Sequence, residues 1–174
     1  MNFGFPSPAF LLYIKHMKKH RDFIDYKTIP HELHSTPYPN LTRAIITING
    51  RSILDIAREA EMTILPNCTE AGQYHYMLTP ELYESLTDAE LSGEEQEAPV
   101  LCCVCDDVRC KSFHVTIQKR EDTVIWKNIG NSDGYQTLLS FSFELKNYED
   151  FMKKLQKETE YIETTKEETL PPHI

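Results

Sequence analysis

The sequence predicts an α+β fold with a mostly antiparallel sheet of about four to five strands covered by helices. Short β-branched and aromatic runs separated by turn residues recur between residues 100 and 143, which is typical of a meander of strands. Segments with apolar residues at helical spacing precede and follow this meander. With 174 residues, of which 40% are hydrophobic, the chain is long enough to bury one core of this kind.

The first part of the main domain is predicted to combine one strand with two helices. Residues 44–48 form a β-branched run that predicts a strand and is followed by an Asn-Gly turn. A helix is predicted to start after Ser52, its candidate N-cap, and residues 63–78 are expected to be irregular. A second helix is predicted from its candidate cap at Thr79 to residue 91.

Four strands and a long helix are predicted for the remainder of the domain. The strands are expected at residues 100–105, 113–118, 123–129 and 138–143. The helix is expected at residues 148–161, where aromatic and aliphatic residues repeat at helical spacing and lysines lie on the other side. The residues predicted for the core are Trp126, Phe141, Phe143, Phe151 and Leu155.

The chain divides into three parts in this interpretation. Residues 1–40 are an N-terminal appendage and linker, in which residues 9–24 have the spacing of an amphipathic helix and three prolines follow. Residues 41–162 are the single α+β domain, and residues 163–174 are expected to be a loose, polar tail. No run approaches 18 apolar residues, so no membrane span is expected.

The charges of the chain favour a basic protein partner. The net charge is −9, which argues against general affinity for nucleic acid. Residues 59–108 contain no lysine or arginine but twelve acidic residues, and a solvated surface kept for solubility is the alternative explanation. In composition alone, a small acidic α+β protein is similar to the immunity proteins that neutralise basic toxins. The candidate partner-binding residues are Glu81, Glu84, Asp88, Glu90, Glu94, Glu95 and Glu97.

A cluster of cysteines is the most distinctive local feature. Four of the five cysteines lie within residues 102–110, which indicates reduced thiols in the cytoplasm rather than a disulfide framework. If the chain reverses after Cys105, Cys110 returns close to it, and His114 follows four residues later. Together with Cys103, these residues would suit tetrahedral zinc, although buried thiols that merely fill a strand are the simpler explanation.

A catalytic role is the third hypothesis. Cys110 lies between two basic residues, whose charges would favour its thiolate, so it is the candidate nucleophile of a thiol-dependent enzyme. No Gly-rich phosphate loop, His-Glu-x-x-His pattern or Gly-x-Ser-x-Gly elbow occurs in the sequence. A non-catalytic binding protein without a cofactor is therefore favoured, with a zinc-binding protein and a thiol enzyme as the alternatives.

Three short motifs resemble those of a group of small uncharacterised bacterial proteins. They are the string INGRSILD at residues 48–55, the Cys-x-Cys-x₄-Cys spacing at residues 103–110 and the Val-x-Trp at residues 124–126. The resemblance covers about residues 40–156. The proteins of that group also have two glycines and a Trp-Pro pair in the cysteine hairpin, and this chain has other residues there. The resemblance implies a bacterial cytosolic domain and no particular activity.

Overall fold

The computed structural model describes residues 21–31, 40–64, 72–91, 95–106, 109–131, 134 and 136–169. It has the predicted α+β class, with three helices and two antiparallel sheets in these residues. The smaller sheet has the order β1-β2-β3, with strands Ile24–Pro30, Thr42–Ile48 and Arg51–Ser52. The larger sheet has the order β4-β5-β6-β7-β8, with strands Tyr74–Tyr76, Gln96–Cys103, Ser112–Lys119, Thr123–Asn131 and Phe141–Glu144.

Backbone contacts join the two sheets at both ends. Asp22, just before β1, forms a parallel bridge with Phe143 of β8. At the other end, Arg43 of β2 forms an antiparallel bridge with Leu78, which follows β4. The Ala44 N–H also donates to the Met77 carbonyl oxygen at 3.1 Å. These contacts bring β2 beside β4, and hence beside the end of β5 that carries the cysteines.

The three helices follow the spacing of apolar residues in the sequence. They are α1 (Ile53–Ile64), α2 (Thr79–Leu91) and α3 (Leu145–Thr169). Ser52 caps α1 as predicted, because its Oγ accepts the Asp55 N–H at 3.1 Å. Leu82 and Leu86 of α2 are fully buried, as are Tyr148 and Leu155 of α3. None of the described helices is both long and apolar enough to span a membrane.

The core is built around aromatic side chains from β7, β8 and α3. Trp126 packs edge-on against Phe143 with 5.4 Å between ring centroids, and against Tyr148 with 6.2 Å. Four of the five residues predicted for the core are buried, and Phe141 is only half-buried against it. This aromatic part of the core lies where helix α3 covers the β7–β8 edge of the larger sheet, and the same core extends to Tyr74 and Cys102 at the opposite edge.

The boundaries of the domain differ from the predicted ones at both ends. Residues 24–30 form β1 rather than part of an appendage, because Ile24 enters the core and the strand pairs with β2 along its whole length. Helix α3 continues to Thr169, so residues 163–169 are helical rather than a loose tail. The short strands β3 and β4 also were not predicted. The rest of the N-terminal prediction, residues 1–20, lies outside the described residues.

Candidate functional site

The cysteine hairpin connects β5 to β6 and gathers three thiols. The Sγ atoms of Cys103, Cys105 and Cys110 all lie within 4.8 Å of one another. Cys103 is partly buried, whereas Cys105 and Cys110 are exposed, so these thiols are not the core packing that the simpler sequence interpretation expected. The reversal is fixed at Asp106, whose φ is 64° and whose N–H donates to the Cys103 carbonyl oxygen at 2.8 Å.

The three thiols differ in how readily they ionise. The Cys105 backbone N–H, the Cys105 thiol and the Cys110 thiol donate to the sulfur of Cys103, which lowers the pKa of Cys103. The same interactions keep the proton on Cys110 and raise the pKa of Cys110 to about 11. A thiol nucleophile reacts as the thiolate, and the raised pKa of Cys110 opposes formation of that thiolate.

The hairpin is tied to β2 and β4 through Asp106. The Asp106 carboxylate accepts from Arg43 Nη2 at 2.8 Å and lies 3.2 Å from His75 Nδ1. Partial burial would raise the pKa of Asp106, but the hydrogen bonds from Arg43 and His75 outweigh burial and lower it. Lys111 lies over the Tyr74 ring, with Nζ 5.1 Å from the centroid. The hairpin is thus anchored on both sides.

Two residues of the cysteine segment lie apart from the three thiols. Cys102 is buried, with its Sγ 3.6 Å from the His75 carbonyl oxygen, and burial raises the pKa of Cys102 to about 11. His114 was predicted as a metal ligand, but it is not part of the thiol group. Its Nε2 lies 2.6 Å from Ser112 Oγ, and its buried Nδ1 has no hydrogen-bond partner among the residues that the structure describes. Burial lowers the pKa of His114.

An acidic cleft of about 650 Å³ adjoins the hairpin. Helix α2 supplies three of the carboxylates at its wall, β5 supplies one and the hairpin supplies another. These residues are Glu81, Glu84, Asp88, Glu97 and Asp106. Ser85 Oγ donates to the Pro99 carbonyl oxygen at 2.9 Å and holds α2 against β5. Arg109 is also part of the lining, so the cleft extends from the middle of α2 to the cysteine hairpin.

Two further acidic residues predicted for the partner-binding face, Glu90 and Glu95, do not line the cleft. Glu90 lies on the side of α2 near Tyr148, and burial raises its pKa. Glu95 is engaged by Lys127 Nζ at 2.6 Å and by Gln118 Nε2 at 2.6 Å. Glu94 lies outside the described residues. Four of the seven predicted residues therefore face one common space, and they come from two elements.

The comparisons with known proteins place this chain in no group. It matches no protein family, no curated protein and no solved structure. The resemblance to small bacterial proteins stays a prediction.

Proposed function

We propose that this protein is a non-catalytic binding protein of the immunity type, which recognises a basic protein through its acidic cleft. The observation that carries the proposal is the convergence of Glu81, Glu84, Asp88 and Glu97 on one concave surface. Acidic residues scattered over a surface would serve solubility equally well. Carboxylates that line one cleft from two elements concentrate negative potential where a partner's side chain can enter.

The environment of Glu81 supports a cationic ligand. Partial burial of its carboxylate raises the pKa of Glu81, and the nearby negative charges of Asp106 and Glu84 raise it further, although Arg43 opposes them. A lysine or arginine of a partner would oppose both effects by supplying a positive charge beside Glu81 and its acidic neighbours. Binding would then be favoured by a charge pair that water screens less than it screens pairs on an open surface.

The size of the cleft fits side chains rather than a folded domain. A space of about 650 Å³ lies in the range of small-molecule pockets, so it would hold one or two long basic side chains of the partner. The surrounding surface of α2 would contact the rest of the partner. Glu81, Glu84 and Asp88 are all exposed at the mouth of the cleft, so their charges would raise the association rate.

The test compares two double variants as baits for proteins from the source organism's lysate. Glu84→Gln/Asp88→Asn removes two exposed charges of the cleft. Glu121→Gln/Glu163→Gln removes two exposed charges elsewhere and gives the same net charge. We expect a protein rich in lysine and arginine that the wild-type and control proteins retain and the cleft variant loses. The purified partner should bind the cleft variant about tenfold or more weakly at low salt.

Either of two results would contradict the proposal. One is that every retained protein is retained equally by the cleft variant and the control variant. The other is that the purified partner's affinity falls equally for both variants, because net charge rather than the cleft would then determine binding.

A further inference from the structure

We propose that Cys103, Cys105 and Cys110 form a three-thiolate site for zinc. This inference is independent of the proposed function, because it concerns the hairpin and not the carboxylates of α2. The observation that carries it is the mutual approach of three Sγ atoms, all within 4.8 Å of one another, from the end of β5 and the hairpin residues that follow it. Thiolate sulfur is a preferred ligand of zinc in proteins.

The distances require little rearrangement. Sulfur ligands of tetrahedral zinc lie about 2.3 Å from the metal, which places them about 3.8 Å from one another. The three sulfurs are already within 4.8 Å of one another, so each sulfur–sulfur distance has to shorten by about 1 Å at most. Small rotations of the cysteine side chains would achieve this. Cys105 and Cys110 are exposed and have room to make this adjustment.

Strand pairing and the contacts of Asp106 hold the base and one side of the hairpin that carries the three cysteines. The antiparallel pairing of β5 with β6 continues to Cys102 opposite Ser112, so the turn between them is closed by the sheet. Within the turn, the Asp106 N–H is bonded to the Cys103 carbonyl oxygen, and the Asp106 side chain is bonded to Arg43. Ligands that are already ordered lose less conformational entropy when the metal binds, which favours affinity.

The exposure of Cys105 and Cys110 favours a metal-binding role over a role as small residues that pack in the core. Cysteines that serve as small hydrophobic residues are buried, as Cys102 is at 2% exposure. Three mutually adjacent thiols with two of them exposed gain nothing from packing. A divalent cation would offset the repulsion of three thiolates at this separation. The ligand set therefore differs from the sequence prediction, because His114 is bonded to Ser112 instead.

The experiment uses the full-length, reduced, metal-free protein and Co²⁺ as a spectroscopic probe for the zinc site. We expect one equivalent of Co²⁺ to produce thiolate-to-cobalt charge-transfer absorption, which zinc then removes by displacement. Cys105→Ser and Cys110→Ser should each weaken binding on the order of 100-fold or more. His114→Gln is the matched control, because it removes the other predicted ligand, and it should leave the absorption unchanged.

A second measurement does not depend on how the variants fold. In the wild-type protein, zinc should slow the alkylation of Cys105 and Cys110 by iodoacetamide, with each site followed by mass spectrometry. The proposal is overturned if the reduced wild-type protein gives no charge-transfer absorption, or if zinc leaves both alkylation rates unchanged. It is also overturned if His114→Gln removes the absorption while Cys105→Ser retains it.

Discussion

Replacing Asp106 with asparagine should loosen the anchor between the cysteine hairpin and the rest of the domain. Asp106 accepts from Arg43 Nη2 at 2.8 Å and lies 3.2 Å from His75 Nδ1. Asparagine has nearly the same shape and tolerates the φ of 64° found at this position. The substitution therefore removes the negative charge and leaves the turn able to form.

The expected loss follows from the exposure of the two partners. A hydrogen bond to a charged group contributes about 1.5–3 kcal/mol, and solvent reduces this for exposed pairs. The Asp106 side chain is 46% exposed, but the Arg43 side chain is only 12% exposed and would lose its carboxylate partner. Arg43 would keep the Tyr76 carbonyl oxygen at 2.5 Å. We expect the free energy of unfolding at neutral pH to fall by about 1–2 kcal/mol.

The assay is urea unfolding, with Asp122→Asn as the matched control. Asp122 forms an ion pair with Arg21 at 3.0 Å, but its side chain is 78% exposed, so its substitution should lower the stability less than Asp106→Asn does. Equal losses for the two variants would refute the argument that Asp106 anchors the hairpin.

The effect of Asp106→Asn should also depend on pH. The hydrogen bonds from Arg43 and His75 hold the pKa of Asp106 below its usual range, so folding favours the ionised form. This contribution is fully present above the unfolded pKa of about 3.9 and is lost as the pH falls through the lower folded pKa. The stability difference between wild type and variant should therefore shrink on acidification, and a constant difference would contradict the assignment.

Three further substitutions test the buried contacts of the domain. Tyr74→Phe should lower the free energy of unfolding by about 1–3 kcal/mol in urea titrations, because the Tyr74 hydroxyl donates to the buried Glu61 carboxylate and accepts from Asn131 Nδ2. An unchanged urea midpoint for Tyr74→Phe would contradict the claim that these hydrogen bonds stabilise the fold. Phe143→Ala should cost about 3–5 kcal/mol, since Phe143 is fully buried, and Phe141→Ala should cost less, since Phe141 is half-buried. The two losses would be compared by calorimetry, and a larger loss for Phe141→Ala than for Phe143→Ala would contradict this description of the core.

Local patterns predicted most of the elements but not the ends of the domain. The helices α1 and α2 and the strands of the meander follow from the spacing of apolar residues and from caps such as Ser52. Strand β1 was missed because Ile24 also fits a helical stripe, and its true partner is Ile48, far along the chain. Pairing between strands that are distant in the sequence cannot be recognised from the residues of one short segment.

The candidate site was predicted where its parts are close in sequence. The reversal that brings Cys110 back to Cys105 follows from the length of the turn, and Glu81, Glu84 and Asp88 share one helix face by spacing. The anchor at Arg43 was not predicted, because it lies 63 residues from Asp106 and the bond depends on the contact between the two sheets.

The most direct test of the central claim is to locate the partner's footprint on the folded protein. Amide spectra of the ¹⁵N-labelled protein would be recorded during titration with the partner that the capture experiment identifies. We expect the largest shifts to fall on residues of α2 around Glu84 and on the start of β5 near Glu97, and added salt to reverse them. A footprint on another face, with these amides unmoved, would contradict recognition through the acidic cleft.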